Sequence, residues 1–154
     1  MNPLIQVLSR LTFVAVLSTA LLAPAAEAPL KPDAKGFIRD WLLLAPIPLA
    51  SENTGGDEID KQQVPNEAAL KPKAGQSVTV GGKALTWRKV KAKDYFFDVN
   101  VILGGMNENA TAYAVAYVVA PKAVTGAQLL MGSNDQGKVY LNGKEVVKFT
   151  ETRT

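Results

Sequence analysis

The chain has 154 residues, a one-domain length, with 47% hydrophobic residues and a net charge of +3. It contains no Cys and no His, which excludes disulfides and Cys-based metal or redox sites and removes the commonest general base and zinc ligand. The 17 Lys and Arg and 14 Asp and Glu are interspersed, so the large basic excess of a nucleic-acid binder is missing.

Residues 1–25 read as a secretory signal peptide. Arg10 and the amino terminus form the positive region, residues 11–22 (LTFVAVLSTALL) the apolar region, and Ala23-Pro24-Ala25 the cleavage site. Ala26-Glu27-Ala28 is a second site, but Pro29 would follow the cut. The rival is an uncleaved anchor, for which the apolar run is shorter than the roughly 20 residues a spanning helix needs. Residues 26–35 form a polar spacer, and residues 36–154 the folded domain. Export places the chain outside the cell, in the periplasm or at the envelope, with no membrane span after cleavage.

The domain opens with GFIRDWLLL, residues 36–44, where Phe37, Trp41 and Leu43 share one parity and predict a strand with one buried face. Pro46 and Pro48 are expected to end it. Residues 50–75 are the least strand-like part, with room for a helical turn within 58–70 that tucks Ile59 and Val64 against the body. A connection of this length is functional or mobile.

Strand signals then become regular. Residues 77–80 lead through Gly81-Gly82 into residues 84–90, residues 95–103 follow, and residues 111–119 (TAYAVAYVV) are apolar on both parities, as in a central strand. Residues 128–149 predict three short strands joined by two turns, at 134–137 and at Asn142-Gly143, the strongest short hairpin signal. The whole is an all-β pattern, an antiparallel sandwich or barrel.

Several segments together resemble one family. They are GFIRDWLLLAP (36–46), Leu85-Thr86-Trp87, Ala112-Tyr113-Ala114-Val115-Ala116-Tyr117, and Gly132-Ser133-Asn134-Asp135 running into KVYLNGK (138–144). They look like the galactose-binding-domain-like jelly-roll, found at the N-terminus of family 2 glycoside hydrolases and as accessory modules of secreted bacterial proteins. The resemblance covers most of residues 36–149. It implies a β-sandwich with a non-catalytic role, often carbohydrate binding or domain packing. The family pattern continues beyond the LNGK hairpin with further strands, so the chain is expected to be truncated or completed by a strand from elsewhere.

No catalytic constellation is apparent: there is no Gly-x-Ser-x-Gly elbow and no phosphate-binding Gly loop. Neither cofactor nor metal is expected. Tryptophan faces stack on pyranose rings, so Trp41 and Trp87 are candidates for sugar contact. Parity assigns Trp41 to the core and leaves Trp87 among the ligand-binding candidates, with Arg88, Tyr95, Asn134 and Asp135. The bland readings are core packing for Trp87 and turn formation for Asn134 and Asp135. Five cations in residues 83–93 would suit an acidic polysaccharide or be the solvated face of a strand. The expected function is carbohydrate recognition. The alternative is a structural module packing on a partner protein or a downstream domain.

Overall fold

The computed structural model describes residues 30–50, 55–133 and 135–151. Residues 1–25, expected to be a signal peptide, and Asn134 lie outside the described residues. Seven strands dominate: β1 (Asp40–Pro48), β2 (Ser77–Val80), β3 (Lys83–Thr86), β4 (Arg88–Lys91), β5 (Ala110–Val115), β6 (Gly137–Leu141) and β7 (Lys144–Phe149). Two short helices, α1 (Gly55–Glu58) and α2 (Val99–Leu103), and a 3-10 turn over Glu67–Ala69 complete the described elements. The strands form one three-stranded sheet, in the order β4-β1-β5, and the hairpins β2-β3 and β6-β7, with every strand pair antiparallel. The all-β class expected from the sequence is therefore seen.

The centre of the sheet is β1, not residues 111–119. Leu42, Leu43 and Leu44 are buried consecutively, with Leu43 at 0% exposure, so this strand is covered on both faces. Leu42 and Leu44 belong to a core cluster with Ile47, Val64, Val80 and Trp87, flanked by Val78 and Leu85 of the β2-β3 hairpin. Leu43 has the opposite parity, as has Trp41, whose ring lies 5.9 Å from that of Phe97. Phe37 is exposed, so the single buried face expected for 37–43 is replaced by burial on both.

Pro46 does not end β1, whereas Pro48 does. The register against β5 shifts between Leu44 and Ile47, and this irregularity takes Pro46, whose bond to Ala45 is cis, out of the ladder. Pro48 is the last residue of the strand. At the other side of the sheet, β5 stops at Val115 and is an edge. Its alanines made the run look apolar on both parities. Ala112 and Ala114 are exposed, and a methyl group loses little by being so.

Residues 84–90 split at Trp87. Its N–H donates to Gln76 O (2.9 Å) and its carbonyl accepts from Gly75 N–H (2.7 Å), and the chain passes there from the hairpin into the sheet. Such a corner links two packed layers. Residues 95–103 are not a strand either. Asp98 caps α2, its side chain accepting from Val101 N–H (3.0 Å), and Gly104 closes the helix at φ 78°. These caps outweigh the β propensity of the valines and isoleucine between them. No strand forms at residues 128–131, while the second expected hairpin turn is present, with Asn142 and Gly143 at φ 51° and 84°.

Candidate functional site

Two clusters stand out, one inside and one on the surface. The inner one is built on Glu67, in the 3-10 turn of the long connection. Its side chain is 4% exposed. Oε2 accepts from Tyr113 Oη (2.7 Å) and Oε1 from Tyr140 Oη (2.7 Å), with Lys138 Nζ 3.1 Å from Oε1. Tyr113 Oη also accepts from Gln63 N–H (3.1 Å). Lys138 is itself only 9% exposed and lies 3.7 Å from Asp60, which binds Lys148 at 2.6 Å.

This knot ties the long connection to β5 and to the β6-β7 hairpin. Close backbone approaches support the same docking: a Cβ on Gly56 would sit 3.0 Å from Thr150 O, and one on Gly143 3.4 Å from Ala68 O. Burial pushes the Glu67 carboxyl up, but hydrogen bonds from Tyr113, Tyr140 and Lys138 outweigh it and hold the group below its ordinary value. Burial and the Glu67 carboxylate push the Tyr113 phenol up to about 12. The same two causes raise Tyr140, and hydrogen bonding to Glu67 and Tyr140 raises Lys138 against the opposing effect of burial. The carboxylate is satisfied by three donors and the phenols are held neutral. That combination is suited to rigidity rather than to proton transfer at neutral pH.

The surface cluster lies where the chain enters and leaves the β1-β4 pair. Asp33 folds the entry turn, its Oδ1 accepting from Lys35 N–H and Phe37 N–H at 2.9 Å each. Its Oδ2 accepts from Arg39 Nε (2.7 Å), and the Phe37 N–H bond leads the effects that lower its pKa. Arg39 then lies over the Phe37 ring, 5.2 Å from its centroid. Tyr95, 71% exposed, places its ring 6.2 Å from Phe37. Arg39 Nη1 is buried without a hydrogen bond and faces Asp94 at 3.9 Å. Phe96, the next residue, is exposed as well.

Of the residues nominated from sequence, only Tyr95 joins this cluster. Trp87 is corrected: at 1% exposure it fills the core and offers no face to a ligand. Arg88 is exposed on β4 and donates to Ala45 O (3.4 Å). Asp135 is exposed, its N–H donating to Ser133 Oγ (3.3 Å), and Asn134 lies outside the described residues. The basic window is spread over β3, β4 and the two residues beyond, with Lys89 and Lys91 on the outer strand of the sheet. Lysines there discourage edge-to-edge pairing.

Sequence reasoning missed Phe37 and Arg39 because both were counted into the strand. The legible signal was Asp33 three residues before Gly36, a turn pattern that delays the strand to Asp40.

No protein-family model, no curated protein and no solved structure matches this chain. Among the described residues, no helix is long and apolar enough to cross a membrane.

Proposed function

We propose that the chain is an exported, non-catalytic carbohydrate-binding module of the galactose-binding-like type, with Phe37 and Tyr95 as its sugar platform. The observation that carries this reading is the exposed aromatic pair with ionic groups beside it: Tyr95, 6.2 Å from Phe37, and Arg39 and Asp94 along its flank. Aromatic faces take the apolar side of a pyranose, and the exposed Asp94 carboxylate accepts directed hydrogen bonds from its hydroxyls. The jelly-roll part of the proposal is supported by the packing of the β2-β3 hairpin on one face of the β4-β1-β5 sheet. Export is supported by the N-terminal sequence pattern. A glycan-array screen of the 154-residue chain tests the reading. Saturable binding to one glycan class, lost in Tyr95→Ala, is the expected outcome; binding that persists in Tyr95→Ala moves the site elsewhere.

One observation favours a second reading, a structural module that packs on a partner chain or domain. Residues 118–132 are exposed throughout and include Val118, Val119, Val124, Leu129, Met131 and Leu130, the last at 88%. Aliphatic side chains of this kind suit a protein surface rather than a sugar. Sedimentation velocity of the full chain beside Leu130→Asp addresses self-packing. A mass above the monomer that falls in the variant supports it, and monomers in both cases remove it.

A further inference from the structure

The flank of the Phe37–Tyr95 platform carries an unbalanced charge. Asp33, Arg39 and Asp94 meet there, so two carboxylates face one guanidinium. They do not share it equally. Nε and Nη2 of Arg39 both reach Asp33 Oδ2 at 2.7 Å, whereas Asp94 lies 3.9 Å from Nη1. The Asp94 side chain is 76% exposed, against 29% for Asp33 and 19% for Arg39. Its Oδ1 accepts from Tyr95 N–H (2.7 Å), which fixes the carboxylate beside the residue that carries the most exposed ring of the platform. Arg39 Nη1 is buried, so the guanidinium offers this donor to no ligand.

These features restrict the sugar. A carboxylate only accepts, and a hydrogen bond to it from a charged donor is about twice as strong as one between neutral groups. The excess negative charge of the triad favours a cation over a uronate. Exposed ring faces add to this, because an ammonium is drawn to them as the Arg39 guanidinium is drawn to Phe37, 5.2 Å from the ring centroid. Given the sugar platform proposed above, we infer that its ligand is an amino sugar with a free ammonium group, a 2-amino-2-deoxyhexose unit of a polysaccharide. The pyranose ring lies on Tyr95 and the ammonium group on Asp94.

The test is a calorimetric titration of the full chain with a glucosamine tetramer at mildly acidic pH, where the sugar amine is protonated. The N-acetylated tetramer and a neutral glucose tetramer are the uncharged controls. Lys93 is exposed next to Asp94 in the chain, so a galacturonate tetramer is the charge-reversed control. The glucosamine tetramer is expected to bind at least about tenfold more tightly than the other three, and Asp94→Asn to bring it down to the neutral one. Asn keeps an oxygen for the Tyr95 N–H, and a spectrum of the variant checks its fold. Rising salt should weaken the glucosamine tetramer and leave the neutral one unchanged. Equal binding of the glucose tetramer, lost in Tyr95→Ala, would remove the ammonium site and leave the platform. Tighter binding of the galacturonate tetramer, or unchanged glucosamine affinity in Asp94→Asn, would overturn the inference, and no binding of any tetramer by the folded chain would overturn it together with the platform.

Discussion

Replacing Glu67 by Gln keeps the shape of the buried knot and removes its charge. The native carboxylate accepts from Tyr113, Tyr140 and Lys138 at 2.7, 2.7 and 3.1 Å. The amide oxygen of Gln replaces one acceptor at most, and the amide NH2 faces a hydroxyl or an ammonium that also donates. Lys138 then keeps only Asp60, 3.7 Å away, as its carboxylate partner within this knot. Removing one partner of a buried pair costs about 3–5 kcal/mol, and the retained hydrogen bond places this variant at about 3 kcal/mol. With a urea dependence of about 1.5 kcal/mol per molar, the unfolding midpoint at pH 7 should fall by about 2 M. The folded-state pKa of Glu67 lies below its unfolded value, so the contribution is fully present above the ordinary carboxylate range and is lost as pH falls through the folded value. The gap between Glu67→Gln and the native chain should therefore narrow steadily below about pH 4.5. Urea titrations of both proteins at pH 7, 5 and 3 measure it. A midpoint change under about 0.3 M at pH 7, or a gap that stays constant into acid, would refute this account of the knot.

The remaining expectations concern separate parts of the fold. Trp87→Ala empties the centre of the core cluster and should cost about 3–5 kcal/mol in chemical denaturation, whereas Tyr95→Ala should stay within about 0.5 kcal/mol of the native chain. Gly143→Ala puts a side chain at φ 84° and 3.4 Å from Ala68 O, and should cost about 1–2 kcal/mol and loosen the β6-β7 hairpin in hydrogen exchange. Asp98→Ala removes the cap of α2 and should cost about 1 kcal/mol, read as faster amide exchange at residues 101–104. In an ultraviolet alkaline titration, Tyr113 should ionise well above the ordinary phenol range. Its contribution to stability is present below about pH 10 and is lost as pH rises through its folded value of about 12.

The sequence showed the β class, the Gly81-Gly82 and Asn142-Gly143 hairpins and a helical turn within residues 58–70, because these features are local. Turn residues with positive φ announce themselves wherever they occur. What stayed hidden is tertiary. The three leucines at 42–44 were read by parity as one-sided, although burial on both faces produces a continuous apolar run. The alanines of residues 112–116 imitated that signal. Capping by Asp98 and Gly104 was present in the sequence, and β-branched composition masked it. The Glu67 knot joins residues 46 and 73 positions apart, a separation that no local pattern encodes. Tyr95 was picked out because it follows a charged window, but its partner Phe37 depended on how Asp33 folds the entry turn.

The proposed sugar platform lies at Phe37 and Tyr95. Chemical-shift mapping of the full chain with the strongest glycan from the array tests it most directly. The account expects saturable shifts concentrated at residues 37–39 and 94–96, absent in Tyr95→Ala. No glycan binding by the folded chain, or shifts centred on another face, would contradict it.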